Sequence, residues 1–352
     1  MAPASSSDAE LWFASCVAAG GLASALALLA SISAMRLWRL WRERTLAPRI
    51  EAWRQALHVA MDDPLAARLP PLATLDLPAF AGLWNHFQES VRGPASDNLA
   101  RLLRERGIDA RLLALLGRRS LRLRLTAITA LGHLREERAW TKLEAIAREP
   151  SSVTSFAAAR ALLRIEPRRA LQVLGPSILE REDWPLTRIG TILHELGPAV
   201  VTPALVTLLV SRPRRGLERA IKLARFGHRH RISTIVRGWL SSSEDPEVIV
   251  AALDYVEDAS DLPWARGAAK HDSWRVRMAA AQALARVGSR QELAALLELL
   301  RDPVWWVRYH AAQALTSLHG LEGEELEALR AGTRDAFASD MLAQALAEMR
   351  RR

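Results

Sequence analysis

The sequence predicts an all-α chain, an α-solenoid of helix pairs that follows one N-terminal transmembrane helix. Three observations predict it. Residues Leu11 to Met35 run for 25 residues without a charge, and Arg36, Arg39, Arg42, Arg44 and Arg49 come after them. Apolar residues then recur at i, i+3, i+4 and i+7 through most of the chain, with no sustained alternation, which is the helical period and not the strand period. Finally, an apolar pattern returns about every 31 residues from roughly residue 105 to 350, a period that marks stacked supersecondary units.

Composition bounds the reading. The 352 residues are 50% hydrophobic and 25% charged, enough for a continuous core. A single cysteine, Cys16, excludes a disulfide framework and a zinc site built on several thiolates. Lys and Arg number 48 against 39 acids, a net +9. Of these only Lys142, Lys222 and Lys270 are lysine, an arginine skew that fits a GC-rich genome as well as it fits anion binding.

The N-terminal 50 residues point to a membrane. A helix over 11–35 would extend about 37 Å at 1.5 Å per residue, more than the roughly 30 Å hydrocarbon core. Asp8 and Glu10 precede the run, where a cleaved signal would place basic residues. Arginines after it place residues 1–10 outside and the rest of the chain in the cytoplasm, as a single-pass protein of the inner (cytoplasmic) membrane. Residues 36–60 read as a basic juxtamembrane helix. There Arg36, Trp38, Arg39, Trp41 and Arg42, with Trp53 further on, suit the headgroup layer and anionic lipid. Ala19, Ala23 and Ala27 lie on a stripe of small residues that would admit a second membrane helix. Residues 61–104, broken by Pro64, Pro70, Pro71, Pro78 and Pro94, read as a linker and an N-terminal cap to a repeat domain over 105–352.

The repeat is clearest near the C-terminus, where DSWRVRMAAAQALARVG (272–288) and DPVWWVRYHAAQALTSLHG (302–320) superpose at an offset of 31. Equivalent positions are Leu123, Thr154, Leu186, Leu217, Val248, Val276, Val307 and Ala338. Four residues on stand Ala127, Ala158, Gly190, Ile221, Ala252, Ala280 and Ala311. Asp245, Asp272 and Asp302 suit helix capping, Pro213, Pro246 and Pro303 a first turn, and Gly288 and Gly320 an exit. The pattern D-x(3–5)-V-R-x-x-A-A-x-A-L, met by Asp272, Val276, Arg277, Ala280 and Leu284 and again by Asp302, Val307, Arg308, Ala311 and Leu315, resembles the HEAT-repeat family, in particular short bacterial repeats of the phycobilisome-lyase-like kind. The resemblance implies about seven helix pairs plus caps in a right-handed superhelix, with the second helix of each pair lining the concave face.

No catalytic constellation accompanies the repeats. There is no Gly-rich phosphate loop ending in Lys, no H-E-x-x-H and no G-x-S-x-G. His194-Glu195 is a single His-Glu pair where HEAT-like hydroxylases use several, and Arg229 between His228 and His230 would repel a metal ion. The expectation is a non-enzymatic chain without metal or cofactor. Arg212, Arg214, Arg215, Arg219, Lys222, Arg225, Arg229 and Arg231 lie in the most basic stretch, 212–237, and are candidates for an anionic partner. Trp184, Trp274, Trp305 and Trp306, near the entries of second helices, are candidate interface aromatics. Arg277 and Arg308 read instead as structural, bonding to turn groups between repeats. Together these predict a scaffold or adaptor binding a protein partner in a membrane-associated complex, in polysaccharide synthesis or export or in envelope signalling. The alternatives are a tethered HEAT-like lyase or hydroxylase, and a lipid- or nucleic-acid-binding module using residues 212–237, with nucleic acid the weakest of the partners.

Overall fold

The computed structural model describes residues 6–211 and 216–349; the side chains of residues 6–19, 21, 23 and 38–43 lie outside that description. Among the described residues every regular element is helical, and strand geometry is confined to an isolated bridge between Ser289 and His319. The chain divides into two compact units, residues 1–145 and 146–352.

The first unit holds α1 (Ser6–Asp62), α2 (Leu77–Ser90), α3 (Pro94–Glu105), α4 (Ile108–Leu115) and α5 (Leu121–His133). α1 differs from expectation in being one uninterrupted 57-residue helix with Pro48 inside it, where two segments were expected. Its last turns pack on α2 and α3. Trp53 is consequently no headgroup residue: it is fully buried, edge-on to Phe80 at 5.7 Å, beside the buried Leu57 and Ala60. Among the described residues no helix is long and apolar enough to cross a membrane. Residues 11–19, 21 and 23 of the expected span, with Ala19 and Ala23 of the small-residue stripe, lie outside the described side chains, as do Trp38, Arg39, Trp41 and Arg42. Ala27, Arg36 and the apolar Leu22, Leu26, Leu28, Leu29 and Ile32 are all exposed. The proline-rich stretch resolves into a non-helical link over 63–76 and two helices that begin at their prolines, Pro78 in the first turn of α2 and Pro94 at the start of α3, where a missing N–H costs nothing.

α6 (Trp140–Ala147) spans the boundary. The second unit then runs α7 (Ser152–Ile165), α8 (Pro167–Glu180), α9 (Leu186–Leu196), α10 (Pro198–Val210), α11 (Leu217–Ala224), α12 (Arg229–Ser242), α13 (Pro246–Leu253), α14 (Leu262–Ala268), α15 (Trp274–Val287), α16 (Leu293–Leu299), α17 (Trp305–Ser317), α18 (Gly323–Gly332) and α19 (Ala336–Met349). α11, α13, α15, α17 and α19 pack side by side in one row, while α12, α14, α16 and α18 each pack on the helix that follows. That arrangement is an α-solenoid.

The 31-residue register explains the row. Every expected repeat position falls in the first three residues of an odd-numbered helix from α5 to α19, and Thr154, Val248, Val276, Val307 and Ala338 are buried there. The small residues four further on, Ala158, Ala252, Ala280 and Ala311, are fully buried and let neighbouring helices approach. Leu284 and Leu315 complete the stripe at 0% exposure, each contributing on the order of 1.5–3 kcal/mol by burial. Two glycines are required by geometry. Gly216 has φ +75°, and a Cβ there would lie 2.5 Å from the Leu179 carbonyl oxygen; one on Gly288 would lie 2.2 Å from that of Leu284.

Candidate functional site

Arginines of the repeats bind neighbouring turns. Arg277 donates to both carboxylate oxygens of Asp302 in the next unit, at 2.6 and 3.0 Å, and to the carbonyls of His271 and Asp272 at 2.8 and 2.7 Å. Asp302 also accepts the Val304 N–H at 2.8 Å, so one buried carboxylate ties two repeats and shapes the entry of α17. Arg308 donates to the Asp302 and Pro303 carbonyls at 2.7 and 3.2 Å. Both arginines are structural, as their register suggested. Asp245 caps α13 through the Glu247 N–H at 2.9 Å, with Pro246 behind it, whereas Pro303 stands two residues ahead of α17.

Among the described residues of the basic stretch, Arg219, Lys222, Arg229 and Arg237 are engaged within the chain. Arg212, Pro213, Arg214 and Arg215 lie outside the described residues. Arg219 reaches back to the carbonyls of Ile178, Arg181 and Trp184 at 3.3, 3.1 and 2.9 Å. Lys222 pairs with Glu218 one turn away. Arg229 pairs with Glu257, donates to the Asp254 carbonyl at 2.8 Å and lies over the Tyr255 ring. Arg237 meets Asp258 and Asp261, each at 3.0 Å. Arg225 and Arg231 are exposed. His228 and His230 face each other at 5.7 Å around this paired arginine, and His194 and Glu195 are exposed. Among the described residues no three His, Cys, Asp or Glu side chains gather as a metal ion would need.

The four tryptophans part company. Trp184 is 1% exposed, donates its indole N–H to Ser155 Oγ at 3.1 Å and packs edge-on to Phe156. It is a core residue and offers no surface to a partner: it stands two residues ahead of α9, on Ser155 and Phe156 of α7, whereas Trp274 and Trp305 are the first residues of α15 and α17. Trp274, Trp305 and Trp306 are 36%, 41% and 52% exposed. Trp305 stacks on Tyr309 at 5.2 Å, while Trp306 stands edge-on to Trp305.

Beside this cluster an open cleft of about 320 Å³ lies between α15 and α17, lined among others by Gln282, Arg286, His310 and Gln313. Burial holds the His310 imidazole below the ordinary histidine value, so it is neutral at pH 7. Burial also lowers the Arg286 guanidinium, which donates to the Leu253 and Val256 carbonyls at 2.7 and 3.3 Å and stays charged. Sequence reading missed Tyr309, His310, Gln282 and Gln313. The 31-residue offset that relates Trp274 to Trp305 also relates Gln282 to Gln313, and that was the available signal.

Residues 237–316 match the HEAT-repeat family. The match runs from the middle of α12 to the end of α17 and takes in both full copies of the Val-Arg-x-x-Ala motif, so Trp274, Trp305, Trp306 and the cleft lining apart from Ser317 fall within the matched residues. No curated protein matches the chain. Among solved structures, an engineered protein is 17% identical over 84% of this chain and 88% of its own, with a TM-score of 0.36. A designed armadillo repeat protein is 17% identical over 75% and 99%, with a TM-score of 0.25. Human deoxyhypusine hydroxylase in complex with glycerol is 18% identical over 78% and 98%, with a TM-score of 0.27. TM-scores this low leave the fold resting on the packing and the family match.

Proposed function

We propose that this chain is a non-catalytic scaffold, anchored in the inner membrane by residues 11–35, whose cytoplasmic HEAT-like helices hold a protein partner in a membrane-associated complex. The observation that carries the partner role is the cluster of exposed indoles at the entries of α15 and α17. Trp is enriched where interfaces concentrate their binding energy, and a scaffold that needed Trp305 and Trp306 only for packing would bury them as it buries Trp184. Solenoids of this kind expose a large surface and suit extended partners.

The anchor rests on the uncharged run and the arginines that follow it, together with exposed leucines on a helix whose far end is packed into the first unit. Such a helix would carry the first unit at a fixed distance from anionic headgroups near Arg36. Polysaccharide synthesis or export and envelope signalling are settings that suit a scaffold so placed.

Purification from native membranes tests the proposal, with full-length protein beside a Trp305→Ala/Trp306→Ala variant and a chain lacking residues 1–45. A stoichiometric companion lost from the tryptophan variant supports it. A companion held equally by the variant removes the aromatic face from the account. A bound metal or chromophore would favour the tethered lyase or hydroxylase, and co-purifying nucleic acid would favour capture through residues 212–237. A C-terminal reporter active only outside the cytoplasm would overturn the topology.

A further inference from the structure

The repeat register places glutamine at one position of three successive units: Gln282 in α15, Gln313 in α17 and Gln344 in α19, each 31 residues after the last. These helices are neighbours in the packed row, so the three carboxamides form a rank across it. Side-chain contacts join the rank. Gln313 Nε2 donates to the Tyr309 hydroxyl at 2.7 Å and to Glu348 Oε2 at 3.1 Å, and Gln344 Nε2 donates to Glu348 Oε1 at 3.1 Å. Gln282 Nε2 meets His310 Nδ1 at 3.1 Å. Each amide nitrogen is thus committed within the rank, while the three carbonyl oxygens accept no hydrogen bond from the described residues.

Three acceptors in a row select a ligand by spacing. Neighbouring packed helices stand about 8–10 Å apart. A polyproline-II segment repeats every three residues, about 9.3 Å, and makes no internal hydrogen bonds, so it presents a main-chain N–H in one direction at that interval. A β-strand repeats every two residues at roughly 6.8 Å and misses the interval. An α-helix has spent its N–H groups beyond the first turn. The cleft between Gln282 and Gln313 adds charge: its lining holds the cation Arg286 and no carboxylate, with two carbonyl contacts fixing the guanidinium. One cation is too few for a nucleic-acid backbone but suits a single carboxylate.

We infer that the rank binds an extended, polyproline-II-like segment of a partner protein, with main-chain N–H groups three residues apart donating to Gln282, Gln313 and Gln344 and an acidic side chain meeting Arg286. The exposed indoles of Trp274 and Trp305 stand eight residues before Gln282 and Gln313, about two turns along the same helices. This inference rests on the reading of the chain as a partner-binding scaffold and names the chemistry of the partner.

The test is panning of a phage-displayed library of random twelve-residue peptides on the full-length protein, followed by affinity measurement on synthetic copies of the enriched sequences. The expected result is a common acidic position and at least tenfold weaker binding to a Gln282→Leu/Gln313→Leu variant, whose fold is checked by its helical signal. Methylation of single main-chain nitrogens is expected to weaken binding at positions three residues apart and not between them. Replacing the acidic residue of the peptide by its amide tests Arg286 without altering the protein, and at least a threefold loss is expected. No enrichment, equal binding to the variant, peptides bound as helices, or indifference to methylation each overturns the inference. Peptides that bind away from the rank would sink it while leaving the scaffold reading intact, which the companion purification tests separately.

Discussion

Replacing Asp302 by alanine removes more than one surface ion pair. The carboxylate takes two bonds from Arg277, at 2.6 and 3.0 Å, and one from the Val304 N–H, at 2.8 Å. The side chains of Arg277 and Asp302 are 15% and 6% exposed, so water replaces the lost partner poorly. Hydrogen bonds to a charged group contribute about 1.5–3 kcal/mol each and a helix-entry acceptor about 1. Arg277 keeps its bonds to the His271 and Asp272 carbonyls, which offsets part of the sum. The expected loss for Asp302→Ala is therefore about 3 kcal/mol. A double-mutant cycle with Arg277→Met is expected to give a coupling of about 2 kcal/mol. Glu247→Ala is the control: its pair with Arg275 has side chains 44% and 56% exposed and is worth about 0.5 kcal/mol or less. Equilibrium urea unfolding followed by the helical signal reads all of them. An Asp302→Ala midpoint indistinguishable from that of Glu247→Ala, or a coupling near zero, would refute the claim that arginine ties hold successive repeats together.

Other expectations follow from the same contacts. Trp184→Ala is expected to cost about 3–5 kcal/mol, whereas Trp305→Ala leaves the thermal midpoint nearly unchanged; equal effects would contradict the difference in burial. Gly288→Ala, whose Cβ would collide with the Leu284 carbonyl, is expected to destabilise by about 2 kcal/mol or more, while Gly238→Ala, with open space around it in α12, stabilises by about 0.5–1 kcal/mol, both read by calorimetry. His310 has its pKa lowered by burial, so as pH falls the unfolded chain takes up that proton first. Its contribution is fully present above about pH 6.5 and is lost as pH falls through the lower folded value. His310→Gln is expected to flatten that part of the stability curve, and an unchanged slope would show that the ring does not titrate this way.

The packing of the second unit was legible because its apolar positions recur by register: Val276, Ala280 and Leu284 and their counterparts 31 residues on needed only the helical period to be placed in a core. The units at Leu186 and Leu217 lost the Asp and Arg of the motif yet kept the architecture, since Arg181 and Arg219 supply the ties from other positions. Arg181 donates to the Glu149 and Pro150 carbonyls at 2.7 and 3.2 Å. Main-chain carbonyls 31 to 41 residues away leave no mark on a sequence, so Arg181 went unread and Arg219 stood among the candidates for an anionic partner. Tryptophan misled for a related reason. Trp53 beside arginines reads as a headgroup residue, and Trp184 shares the register of Trp274, but burial of each depends on what another helix brings to it. The glutamine rank needed only the offset already in hand, and it passed unread because glutamine carries no charge or hydrophobicity to draw the eye.

Amide hydrogen exchange on the full-length protein, alone and with the companion that co-purifies with it, tests the scaffold account most directly. The account predicts new protection concentrated on the exposed faces of α15, α17 and α19, across residues 274–282, 305–317 and 336–348. Protection confined to α12, α14 and α16, or none at all in the second unit, would contradict it.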